Sequence, residues 1–129
     1  MRLAADFTGP TTITPPATSF TLGGFGFSSS HPLTIHTTPT NARGLSFHHS
    51  GLEIALPATT GAVLLKVICG ADAVRVRGFD ANNHAVATMV IASDGMVHES
   101  KLTGDRITRV TLDQGSNEGF LVSIAMGED

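Results

Sequence analysis

The sequence predicts an all-β protein, an antiparallel β-sandwich or jelly roll, folded as a single domain over residues 1–129. Three observations carry this. Short runs rich in Val, Ile, Thr and Phe recur along the chain, separated by Gly, Pro, Asn, Asp and Ser. No segment holds a long helical period. The chain has 129 residues, 41% hydrophobic and 15% charged, which is the size of one domain and the opposite balance to a disordered segment.

The first third is dense in Thr, Ser, Gly and Pro, which argues against long central strands there. Short edge strands are expected at 11–14, 18–22 and 33–36, with "GGFGF" (23–27) as a loop between them. Phe20, Phe25, Phe27, Leu33 and Ile35 demand burial, so this region is expected to be ordered.

"SFHHSGLEI" (46–54) sets two adjacent histidines beside a Ser-Gly step. One unbroken strand through it would place Leu52, Ile54 and Leu56 inward and leave Phe47 outside. A turn or bulge at Ser50-Gly51 repairs the phase, with Leu45 and Phe47 inward on one strand and Leu52, Ile54 and Leu56 inward on the next. His48 and His49 then sit at a strand end beside a hairpin tip. Neighbouring strand residues point to opposite faces, so the two imidazoles do not converge on one ion.

The remaining strands follow as "GLEIAL" (51–56), "AVLLKVIC" (62–69), "AVRVRGF" (73–79), "HAVATMVIA" (84–92), "RITRVTL" (106–112) and "GFLVSIAM" (119–126). In "AVRVRGF", Val74 and Val76 face one way and Arg75 and Arg77 the other, the pattern of a half-solvated strand. In the last strand Phe120, Val122, Ile124 and Met126 share a face. "DANNHA" (80–85) reads as a turn because Asn tolerates left-handed backbone. "ASDGM" (92–96) carries the Asp-Gly hairpin signal, and "LTGD" (102–105) and "DQGSNEG" (113–119) punctuate the rest.

Composition excludes several functions. A net charge of −3 without a basic cluster is wrong for nucleic acid and for anionic membrane surfaces. No apolar run approaches a membrane span, and the N-terminus lacks the apolar core of a signal peptide. The chain is therefore expected to be soluble, cytoplasmic as it stands or extracellular if a leader has been removed. Cys69 is the only cysteine, so there is no intrachain disulfide, and its apolar strand makes it a buried small hydrophobe. No nucleophile elbow, phosphate loop or dinucleotide fingerprint occurs, so no catalytic residues are assigned. With no Trp and no Tyr, sugar stacking on those rings is excluded. Recognition of a sugar would rest on hydrogen bonds from Arg, His, Asn and Asp.

The stretch 74–124 resembles galactose-binding-like jelly-roll modules of bacterial extracellular and surface proteins. The resemblance lies in the strand ending Phe79-Asp80-Ala81 with its Asn turn, the valine-rich strand after it, "LTGDRITRVTL" and the closing "SNEGFLVSI". "ADFTG" and "GLEIALP" fit the opening and middle strands, so the likeness covers about three-quarters of the chain. It implies a non-catalytic sandwich that binds a glycan or other small ligand through loops at one end. On that reading His48, His49, Arg75, Arg77, Asp80 and Asn82 are the candidate ligand-binding residues. His48 and Arg75 also match a spacing of the fucose-binding F-type lectins, in which an Arg-x-Asp follows the histidine, but Arg77 stands where that pattern has aspartate.

Related modules hold a structural calcium between the first and last strands, a part that Asp6 and Glu118 would play here. Ser123 stands where an aspartate is common. "HHSGLE" is similar to the His-x-His…Glu run of metal-binding cupins, with the first histidine displaced by one residue and the glycine and proline landmarks missing. The rival expectation is a structural or assembly protein that forms a homo-oligomer or docks on a larger protein partner.

Overall fold

The structure, a computed structural model, describes residues 2–7, 17–37, 43–48, 51–69, 73–92, 96–114 and 119–127. These form nine strands: β1 (Arg2–Asp6), β2 (Ala17–Leu22), β3 (Phe25–Thr37), β4 (Arg43–Phe47), β5 (Leu52–Cys69), β6 (Val74–Phe79), β7 (Ala85–Ile91), β8 (Val97–Gln114) and β9 (Gly119–Gly127). All pairings are antiparallel. The fold class is as the sequence predicts.

Three long strands cross between two layers. The first layer runs β2, β3 (through 25–28), β5 (52–55), β8 (109–114), β6, β7. The second runs β3 (34–37), β4, β9, β5 (63–69), β8 (97–103), with β1 beside the far half of β9. β5 and β8 stay paired along both layers and change layer together, between Ala55 and Ala62 on one strand and Thr103 and Arg109 on the other. Arg106 sits there at φ 55°, the left-handed kink that lets β8 turn. "LTGD" is therefore an irregularity inside one long strand, where the sequence suggests a break.

Each strand alternates, and its apolar set meets the other layer's. Phe27, Ile54 and Val110 form one inward row of the first layer, and Leu52, Leu112 and Val76 the next. They face Leu45, Leu121 and Val67, then Leu65 and Ile124, then Val63 and Met126, in the second layer. Each such burial contributes about 1.5–3 kcal/mol. Cys69 is fully buried in this core. Phe7, Phe20 and Phe27 close one end, with Phe7 edge-on to the stacked pair Phe20 and Phe27, whose centroids lie 5.0 Å apart.

Four local expectations change. Gly23 and Gly24, at φ 61° and 88°, form the tight turn of a β2–β3 hairpin, so the phenylalanines of "GGFGF" belong to strand, not loop. The turn before Leu52 exists, with the Gly51 N–H donating to the His48 carbonyl at 3.0 Å and Gly51 at φ 126°. Yet β4 pairs with β3 and β9 while β5 pairs with β3, β8 and β9, so the turn carries the chain between layers and is not a hairpin. "ASDGM" likewise joins β7, which pairs with β6, to the part of β8 that pairs with β5. In β9 a register shift opposite Lys66 and Val67 turns Leu121 into the core with Ile124 and Met126, and Phe120 drops out of that face. Val122 is buried as well, at 5% exposure, but outside the core cluster. The expected strand at 11–14 lies outside the described residues.

Candidate functional site

The outward face of the first layer is polar. Strict alternation in "RVTLD" puts Arg109, Thr111 and Asp113 outside while Val110 and Leu112 go in. Register then aligns Ser28, Glu53, Thr111, Arg77 and Thr88 in one row across β3, β5, β8, β6 and β7. Directly opposed pairs of this kind stand about 4.5–5.5 Å apart at Cβ. On one side of the row lies Asp113–Arg75–Val90, and on the other Ala55–Arg109–Phe79.

The charges in these rows interlock. Arg75 donates to Asp113 through Nε (Oδ1, 3.0 Å) and Nη2 (Oδ2, 2.7 Å), a bidentate fork. Arg77 Nη2 donates to the same Oδ2 at 3.2 Å. Arg109 Nη1 donates to Glu53 Oε1. The Arg75 hydrogen bonds hold the Asp113 carboxyl below the usual carboxylate range against the opposing effect of burial, and the charges of Arg75 and Arg77 act in the same direction. The Arg75 guanidinium is raised in turn by Asp113. Phe79, the aromatic side chain of this face, carries the Arg109 guanidinium 4.5 Å from its centroid and that of Arg77 at 5.5 Å.

A groove of about 410 Å³ lies over the row, lined by Ser28, Ser29, Ser30, Gly51–Glu53, Arg77, Thr111 and Asp113. That volume is within the usual range of ligand pockets, roughly 300–1,000 Å³. Ser29 Oγ donates to the Gly51 carbonyl at 2.8 Å and ties the β3 wall to the turn before β5. Two side-chain atoms of residues that line the groove, Arg77 Nε and Thr111 Oγ1, are buried with no hydrogen-bond partner among the described residues. Their residues are direct cross-strand neighbours. A buried polar atom left unmatched costs about 1–3 kcal/mol.

The sequence-predicted residues fall in three places. Arg75 and Arg77 are together on this sheet face, not in an end loop. His48 stacks on His31 with centroids 3.6 Å apart, and His31 Nδ1 lies 3.1 Å from Oγ of Ser30, which lines the groove. His48 itself does not line the groove.

Asp80 and Asn82 occupy the β6–β7 turn, beyond the Arg109–Phe79 row. There Asp80 Oδ1 accepts the N–H groups of Asn82 and His84 at 2.9 Å each. Chiefly the His84 N–H bond, with Asn82 adding to it, holds the Asp80 carboxyl below its ordinary range. With Thr59, Arg106 and Thr108 they line a separate depression, also about 410 Å³. His49 and Glu118 lie outside the described residues, as does the side chain of Asp6, whose backbone pairs with Ser123. The calcium expectation therefore falls outside them too. Among the described residues no three His, Cys, Asp or Glu side chains gather as metal ligands would.

Sequence reasoning missed Ser28, Glu53, Phe79, Arg109, Thr111 and Asp113. The alternation in "LEI" and "RVTLD" marks Glu53, Arg109, Thr111 and Asp113 as outward. Only the strand order brings them to Arg75 and Arg77.

Several solved structures share this architecture. A family 29 carbohydrate-binding module, CBM29-2 carrying a lysine-to-alanine change made to probe ligand recognition, superposes with a TM-score of 0.59 at 11% identity, over 91% of this chain and 90% of that one. The C-terminal family 6 module of LamC from Zobellia galactanivorans gives 0.53 at 10% identity, over 99% and 100%. A family 6 module studied for its binding sub-sites gives 0.51 at 16%, over 76% and 82%. The chain has the galactose-binding-like β-sandwich fold. At these identities the likeness is one of fold. No family model and no curated protein matches the sequence.

Proposed function

We propose that this sandwich is a non-catalytic carbohydrate-binding module that holds its glycan in the groove on the outer face of the first layer. The observation that carries the reading is the polar groove itself, about 410 Å³ and lined by Ser28, Glu53, Arg77, Thr111 and Asp113. The fold supports it, because carbohydrate-binding modules share it. Arg77 and Thr111 contact the ligand, Glu53 and Ser28 flank it, and Arg75 with Asp113 fixes Arg77.

The test is affinity electrophoresis in gels containing soluble polysaccharides. Thr111→Val and Arg77→Gln should weaken retardation by about tenfold or more, since a hydrogen bond to a charged group is worth about 1.5–3 kcal/mol. Asp80→Ala and Asn82→Ala, in the other depression, should leave retardation unchanged. The reverse pattern would move the site to the β6–β7 turn.

Self-association is the second reading, and one observation favours it: Val90, Met96 and Val97 are exposed at 65%, 62% and 47%. Light scattering at rising concentration decides it, a constant monomer mass ruling it out.

A further inference from the structure

We infer that the open edge of β7 is a dimerisation surface, on which the same strand of a second copy adds antiparallel across a two-fold axis normal to the sheet. It rests on the self-association reading, to which it gives a surface and a partner, and it is independent of glycan binding.

β7 ends the first layer, and among the described residues it pairs with β6 alone. An end strand turns a row of backbone N–H and C=O groups away from its own sheet, a template for another strand. Native proteins blunt such edges with charge, proline or a bulge. Residues 88–91 (TMVI) carry neither charge nor proline. The bulge of this strand comes earlier. Gly78 pairs with Ala87 and Phe79 with Ala85, so Val86 is the extra residue. β8 also comes close there, since a Cβ at Gly104 would stand 2.9 Å from the Val86 carbonyl oxygen and 3.1 Å from Ala87 Cβ. The start of β7 is thus closed off, and residues 88–91 stay open among the described residues.

Charge points to a second copy as the occupant. A two-fold sets a strand against its own side chains, so a charge near the axis meets its like, which is destabilising. In a chain of net charge −3, residues 88–91 avoid that repulsion. The open edge of the second layer does not: β8 over 97–103 pairs with β5 alone among the described residues and carries His98, Glu99 and Lys101.

The faces also match. Thr88 and Val90 lie outward opposite Arg77 and Arg75, while Met89 and Ile91 lie inward opposite Val76 and Val74. An axis through Met89 sets Thr88 of each copy against Val90 of the other, which covers a valine now 65% exposed. Because the axis is normal to the sheet, both grooves open on the same side. A polysaccharide long enough to span them would gain avidity.

Sedimentation velocity of the intact protein at rising concentration tests this. The parent should pass from monomer to dimer and stop there. Val90→Lys and Val90→Glu, each at an exposed outward position, should weaken the dimer about tenfold or more by setting like charges on either side of the axis. An equimolar mixture of the two variants should recover the dimer, which misfolded chains would not do. Lys101→Glu, on the other edge, should leave it unchanged. A parent that stays monomeric overturns the inference together with the self-association reading and leaves the glycan-binding reading untouched. A dimer that Val90→Lys does not weaken, or two variants that do not recombine, overturns this surface alone. A mass that climbs past the dimer overturns the two-fold in favour of open-ended, head-to-tail pairing of β7 with β2, the other end strand of the layer.

Discussion

Arg75 and Asp113 face one another across the β6–β8 ladder, 38 residues apart in sequence, and share two hydrogen bonds of 3.0 and 2.7 Å. The pair ties β6 to β8 on the outer surface of the first layer, where Arg77 also donates to Asp113. Because Asp113 titrates below its ordinary value in the folded state, its contribution to stability is complete above the unfolded carboxylate pKa of about 3.9 and is lost as the pH falls through the lowered folded value. The melting temperature should therefore decline below about pH 4. Asp80, lowered in the same direction, adds to that decline. Asp113→Asn should melt lower than the parent at pH 7 and show a shallower acid slope, read by circular dichroism. Equal slopes would mean that the fork adds nothing to folding.

The β6–β7 turn makes a separate prediction. Asn83 lies at φ 63° between Asp80, whose carbonyl accepts its N–H at 3.1 Å, and His84, whose carbonyl accepts the Asp80 N–H at 3.0 Å. A β-branched side chain is strained in that conformation by about 1–2 kcal/mol. Asn83→Val should lose that much in urea unfolding while Asn83→Gly holds its stability. Equal behaviour of the two variants would show that the turn relaxes.

Gly119 is a packing position. A methyl group there would stand 2.6 Å from Phe47 Cζ and 3.1 Å from Val74 Cγ2, both on fully or nearly fully buried side chains. Gly119→Ala should cost about 1–3 kcal/mol by overpacking. Phe47→Leu in the same chain should recover part of it, so the double mutant should be more stable than the sum of the single changes. Additive losses would mean the clash is relieved by backbone movement.

How far the sequence carries is visible in these residues. Alternation alone assigns Val74 and Val76 to the core and Arg75 and Arg77 to the outside, because a side chain's face depends only on its own strand. Alternation fails where a bulge shifts the count, as in β9, where Leu121 replaces Phe120 on the inward face. Turn chemistry finds the Gly51 and Asn83 turns but does not say which strands they join. A glycine turn that links two layers reads like one that closes a hairpin.

The groove was hidden for a related reason. Glu53 belongs with Thr111, and Thr111 with Arg77, only because β8 lies between β5 and β6. That order is fixed by the packing of whole layers, so each member reads alone as an ordinary solvated residue. The resemblance to galactose-binding-like modules pointed to the right fold and, for a ligand site, to end loops.

The most direct test of the groove is a backbone amide NMR titration of the isotope-labelled protein with oligogalacturonate, using cello- and xylo-oligosaccharides in parallel. The account predicts saturable shift changes centred on Ser28, Glu53, Arg77 and Thr111 with any oligosaccharide that binds. Changes centred instead on Asp80, Asn82 and Arg106, or none with any of the three, would contradict it.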